Sequence, residues 1–98
     1  MYVIRDVFKC KPGHSRSVAE KFKNALAVTK KMKSMSNARV LVDVIADYWT
    51  VVLESEVQDL AEFEKEMKEY GSSKEMQKAM KGYMDEVEGG HREVFRVA

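Results

Sequence analysis

Few side chains in this sequence can do acid–base, thiol or metal chemistry: the histidines are His14 and His91, the one cysteine is Cys10, and the one tryptophan is Trp49. His91 follows Gly89-Gly90 and opens the alternating run His91–Val97, where a strand mouth would set an imidazole at the rim of a pocket. As a general base it needs a carboxylate to orient it, and Glu93 or Asp43 would serve. His91 reads first as a polar residue at a strand end, and His14, in a Lys/Gly/Ser loop, reads as solvated. Cys10 and His14 have C-x3-H spacing, but with one further histidine and no second cysteine a closed zinc site lacks ligands, so no metal is expected. A haem would need an axial histidine in an apolar pocket, which leaves His91 alone. Tyr48, Trp49 and Tyr83, with Met76, Met80 and Met84, would suit the walls of an aromatic-binding cavity, because methionine packs adaptably against rings. At helical spacing the methionines read first as core; Trp49 and Tyr83 stay open. Arg39 and Asp43 stand in a β-prone stretch and need partners if buried: an interface ion pair with Arg5 or Arg96, or polar groups of a pocket, with the interface preferred. No P-loop, dinucleotide fingerprint or nucleophile elbow is present.

The elements that must position these groups centre on Arg39–Glu54, RVLVDVIADYWTVVLE, which is crowded with β-branched and aromatic residues and broken once at Ala46-Asp47. It reads as a hairpin. Val40, Val42 and Val44 face one way; Leu41 and Ile45 face the other with Arg39 and Asp43. Apolar residues on both faces mean that neither side meets only water. Before the hairpin, Met1–Lys9 reads as a strand with Tyr2, Ile4, Asp6 and Phe8 on one face, closed by Lys11-Pro12-Gly13. A helix follows from a capping box at Ser17–Glu20, with the stripe Val18, Phe22, Ala25, Thr29 and Met32, to about Met35, and Ser36-Asn37 ends it. Past the hairpin, a second box at Ser55–Gln58 opens a helix striped by Val57, Leu60, Phe63, Met67 and Tyr70 and closed by Gly71. A third box at Ser72–Glu75 opens a helix that carries Met76, Met80, Tyr83, Met84 and Val87 to a stop at Gly89-Gly90. His91–Val97 is the last strand.

The 98 residues, 45% hydrophobic and 34% charged, describe one globular domain spanning 1–98. A net charge of +1 gives no global field for nucleic acid or an anionic membrane. No window reaches the roughly 18 apolar residues of a membrane span, MYVIRD has no apolar signal core, and the lone thiol suits a reducing compartment, so the expected location is cytoplasmic. Lys9–Lys33 carries eight basic residues against Glu20, and Glu54–Glu69 seven acidic residues against Lys65 and Lys68. The first and second helices are therefore expected side by side. Without aromatic interleaving or an RNP-like motif, the basic run does not read as a nucleic-acid site.

The order strand–helix–strand–strand–helix–helix–strand is the ferredoxin-like α+β arrangement, βαββααβ: a four-stranded antiparallel sheet with helices on one face. The uncovered face calls for a partner, and a second copy of the chain is the simplest one. Lys11-Pro12-Gly13 after the first strand, Trp49–Glu54 running into Asp59–Glu64, and Arg92–Arg96 make the chain resemble the dimeric α+β barrel superfamily, in its antibiotic-biosynthesis-monooxygenase-like and NIPSNAP-like members. The resemblance implies a homodimer through the helix-free face and a pocket between sheet and helices. It also implies a choice of activities: a cofactor-independent, oxygenase-like (monooxygenase-like) reaction on a small aromatic or quinol-type substrate, a non-catalytic module for a hydrophobic metabolite, or haem binding and degradation. The first two need no cofactor, and none is expected.

Overall fold

A computed structural model describes all residues 1–98. The order is β1 (Tyr2–Cys10), α1 (Ser15–Val28), β2 (Met35–Val42), β3 (Thr50–Val57), α2 (Leu60–Gly71), α3 (Lys74–Met80) and β4 (Val87–Arg96), with single 3-10 turns at Thr29–Lys31 and Tyr83–Asp85. All four strands form one antiparallel sheet in the order β2-β3-β1-β4, so the ferredoxin-like α+β class stands.

Strand register sorts the side chains. Tyr2, Ile4, Asp6 and Phe8 of β1 share the helix-packed face with Val51, Leu53, Ser55 and Val57 of β3, and Val40 and Val42 of β2 join them. Val3, Arg5 and Val7, with Val52, Glu54, Arg39 and Leu41, form the open face, so Leu41 lies on the helix-free side and Val42 on the covered one. The helix face is filled by two separate cores. One gathers Cys10, Val18, Ala19, Phe22 and Val51, with the Phe8 ring 4.7 Å and Tyr83 5.9 Å from the Phe22 ring. The other gathers Ile4, Met32, Val57 and Phe63. Every member of the α1 stripe, Val18, Phe22, Ala25, Thr29 and Met32, is buried, as a 3.6-residue period requires. In the later helical stripe Phe63 is buried, Met67, Met76, Met80 and Tyr83 are half-buried, and Leu60 is exposed.

Several boundaries depart from the sequence reading. Helix α1 starts at Ser15, two residues before the expected box; the Lys11–Gly13 turn runs straight into it, and Ser17 lies inside the helix instead of capping it. Helical structure also stops at Lys31, and Ser36-Asn37 falls inside β2 at an irregularity where Asn37 has φ 50. Ser55–Val57 is strand, because the ladder with Tyr2–Ile4 claims it. Helix α2 is capped by Asp59, whose Oδ1 accepts from the amides of Ala61 and Glu62 at 2.9 and 3.1 Å. The third box is displaced by one residue: Ser73 is the cap, its Oγ accepting from Met76 N at 3.1 Å, while the Ser72 hydroxyl donates back to the Lys68 and Glu69 carbonyls of α2. Its helix ends early at Met80, and Gly82 at φ 83 turns the chain, so Gly89-Gly90 lies within β4 and does not stop a helix. A Cβ on Gly90 would sit 2.2 Å from the Val7 carbonyl oxygen, so the glycine is what lets β4 approach β1 there. The hairpin connection is seven residues, 43–49, and takes in Val44, Ile45, Tyr48 and Trp49. Helix α1 packs along α3, not α2. The acid that meets the basic helix is Glu86, just before β4, bound to Lys21 and to His14 at 3.1 Å.

Candidate functional site

On the helix face of β1 the order Ile4, Asp6, Phe8 takes the strand from one core, across a gap, into the other. The gap is a cavity of about 110 Å³ between sheet and helices. Leu53 and Ser55 floor it from β3, Ala25, Leu26 and Thr29 wall it from α1, and Phe63, Met67, Met76 and Met80 close it from α2 and α3. Asp6 is the only charged side chain in that lining. Its carboxylate, 18% exposed, accepts both bonds of an Arg92 fork, from Nε at 2.5 Å to Oδ1 and from a terminal nitrogen at 3.2 Å to Oδ2. Arg92 stands opposite Asp6 in the β1–β4 register. Hydrogen bonding to Asp6 raises the guanidinium above its ordinary pKa, against the opposing effect of burial.

The ion pair lies where three depressions meet. Asp6 lines the internal cavity and also an open depression of about 380 Å³ over Gly89-Gly90, while Arg92 lines a third, of about 210 Å³, beneath α2. Arg92 is 56% exposed, so its head can swing into water and open the Asp6 carboxylate to a molecule in the cavity. Methionines on three sides let the walls repack around a guest. Chemically, the site offers an apolar enclosure with one hydrogen-bond-accepting anion and one half-exposed cation at the rim.

The residues singled out from sequence are dispersed by the fold. Tyr83 packs edge-on against Phe8 and Phe22, and with His91 it lines the Gly89-Gly90 depression. His91 and Glu93 are neighbours on the open face, 3.4 Å apart. Asp43, Tyr48 and Trp49 belong to the hairpin loop: Asp43 Oδ1 accepts from Thr50 N at 2.9 Å, and Tyr48 is 79% exposed. None of these three reaches the cavity. Arg39 pairs with Glu54 at 2.9 Å, and Asp43, bound to the Thr50 amide, pairs with neither Arg5 nor Arg96 within the chain. Cys10 is buried in the core, where desolvation raises its thiol pKa, and His14 bonds Glu86, so neither faces the other. Asp6 and Arg92 were not singled out from sequence. The signal was a lone carboxylate inside the apolar face Tyr2, Ile4, Phe8.

The open face carries its own arrangement. Glu93, Arg5, Glu54 and Arg39 stand in one row across β4, β1, β3 and β2, linked at 3.3, 2.6 and 2.9 Å. The row has two cations and two anions, so it is neutral by itself. Beside it run Val7, Val52 and Leu41, and on its other side Val3 and Phe95.

No family model and no curated protein matches the sequence. Solved structures match its fold over nearly the whole chain. An uncharacterized NIPSNAP domain protein from Burkholderia xenovorans superposes with a TM-score of 0.82 at 10% identity, covering 100% of this chain and 95% of that one. A NIPSNAP family protein from Agrobacterium tumefaciens gives 0.83 at 9% identity, covering 99% and 92%. An antibiotic biosynthesis monooxygenase-like protein from Chloroflexus aurantiacus J-10-fl gives 0.73 at 11% identity, covering 99% and 92%. The chain therefore has the fold of NIPSNAP-like and antibiotic-biosynthesis-monooxygenase-like proteins, the superfamily that its motifs resemble. No helix is long and apolar enough to cross a membrane.

Proposed function

We propose that the protein is a cytoplasmic homodimer that binds a small hydrophobic or aromatic molecule in the cavity between sheet and helices, with the dimer formed through the open sheet face. The observation that carries the ligand reading is Asp6: a carboxylate in the gap between two apolar cores, held by an arginine free to leave. A guest that donates a hydroxyl to Asp6 and stacks its apolar body on Phe63 and the methionines matches both the one charged group and the apolar walls of the lining. The observation supporting the dimer is the open face itself. Its central charges are already paired in a neutral row, so covering that row strands none of its four members, and the flanking apolar residues gain burial.

A second reading follows from the same carboxylate. In a cofactor-independent, oxygenase-like reaction on a quinol-type substrate, Asp6 accepts the proton of a ring hydroxyl; a ring carbon of the resulting anion adds dioxygen, and the hydroperoxide formed loses water to leave a quinone carbonyl, so that one oxygen atom enters the ring, the other leaves as water and the substrate supplies all four electrons. The fold neighbour described as monooxygenase-like supports this reading at the level of fold only. A thermal-shift screen with phenols, quinols and aliphatic alcohols tests the binding reading, because a ligand that binds only the native state raises the melting point. Stabilisation by a hydroxylated aromatic that disappears in Asp6→Leu is expected; stabilisers indifferent to that substitution would overturn the assignment. Oxygen consumption with the stabilising quinol separates enzyme from binder.

A further inference from the structure

The cavity that Asp6 lines is small for the ligands assigned to it. Its volume is about 110 Å³, whereas an apolar cavity of roughly 150 Å³ holds one benzene ring. A single ring therefore fills it once the methionines shift, and any large substituent on that ring has to leave. The lining decides the exit. Towards the depression under α2 stands Phe63, and towards a depression beside α1 stands Thr29, both buried. Towards the Gly89-Gly90 depression stands Asp6, which lines both spaces and is the group that a ligand hydroxyl meets. The β1–β4 register explains why there is room on that side. Arg92 stands opposite Asp6 and Gly90 opposite Phe8, so the next helix-face position of β4 beyond the arginine has no side chain. The space left there, about 380 Å³, is walled by Phe8, Tyr83, Met84 and Val87, with the Tyr83 ring edge-on to Phe8 at 6.4 Å.

Resting on the ligand reading above, we propose that cavity and depression are two compartments of one site, joined at Asp6, and that the ligand is a phenol carrying a bulky, uncharged apolar group ortho to its hydroxyl. The hydroxyl donates to Asp6 at the junction while the ring fills the cavity. The ortho position then lies beside the junction, and the para position points towards the closed end. An ortho substituent enters the depression and packs on Phe8, Tyr83 and Met84. Met84, 75% exposed in the free chain, gains cover from it. A para substituent of the same size meets the packed walls of the cavity and has no room.

Calorimetric titration of the wild-type protein with phenol, 2-phenylphenol and 4-phenylphenol tests this. The expected result is that 2-phenylphenol binds about tenfold or more tightly than phenol, because its second ring gains burial, and that 4-phenylphenol binds more weakly than phenol. Met84→Ala removes one wall of the depression at an exposed position, so the fold is retained. In that variant the ratio of 2-phenylphenol affinity to phenol affinity should fall by about threefold or more. A 2-phenylphenol affinity no greater than that of phenol or of 4-phenylphenol overturns the two-compartment site and leaves a phenol site at Asp6 standing. An ortho preference that Met84→Ala does not reduce overturns the use of the depression. If none of the three compounds binds, the ligand reading falls and this proposal falls with it.

Discussion

Asp6→Leu separates a functional carboxylate from a structural one. Removing one partner of a fully buried ion pair costs about 3–5 kcal/mol, because a charge is stranded in the interior. Here the surviving partner is Arg92, 56% exposed at the rim, which can turn into water. The loss is then that of a half-exposed pair, about 1 kcal/mol. Against it, leucine extends apolar atoms into a cavity of about 110 Å³ whose other walls are mainly apolar, and burying each added methylene contributes about 0.8 kcal/mol. The two effects are of similar size, so net stability changes by about 1 kcal/mol or less, a melting-point shift of no more than about 8 °C for a domain of this size. Urea denaturation with calorimetry measures the first quantity, and titration of a stabilising ligand measures the second. Near-wild-type stability with lost binding is expected. A destabilisation of 3 kcal/mol or more would show that Asp6 holds the fold together, and the site argument would fail.

Gly90→Ala should disrupt the β1–β4 pairing, because its Cβ would meet the Val7 carbonyl oxygen at 2.2 Å, whereas Gly89→Ala, with nothing within 4 Å, should be close to neutral; amide exchange of β4 distinguishes the two. Lys21, Ser17 and His14 hold the Glu86 carboxyl down to about 2, Lys21 foremost and against the effect of burial. Since that carboxyl titrates near 4.3 in an unfolded chain, the interaction stabilises the protein fully above that pH and is lost as the pH falls towards 2. Glu86→Gln should flatten that part of the acid-denaturation profile, and an unchanged slope would mean that the cluster contributes nothing.

The sequence made the sheet, its two-sided strands and the single-sided helix layer legible, because periods of 2 and 3.6 are local properties of Tyr2–Phe8 and Val18–Met32. Caps were legible only where no ladder competed. Ser73 caps its helix, but Ser55 has equally good neighbours and is drawn into β3 by Tyr2–Ile4, a pairing that depends on residues fifty positions away. The same holds for Gly89-Gly90, where a stop signal and a close strand approach call for the same residue. The site was half legible. Asp6 is a charge within an apolar alternation, a signal the sequence reading passed over, and only the division of the helix face into two cores turns that position into a cavity. The open-face row was invisible, since Arg39 finds Glu54 only once register is fixed.

The dimer is the claim on which the reading of the open face depends. Sedimentation equilibrium or light scattering on the wild-type protein at micromolar concentration tests it directly. The account predicts twice the chain mass of 11.3 kDa, falling to the single mass when Leu41→Lys sets an unpaired charge beside the neutral row. A wild-type mass of 11.3 kDa at that concentration would contradict it.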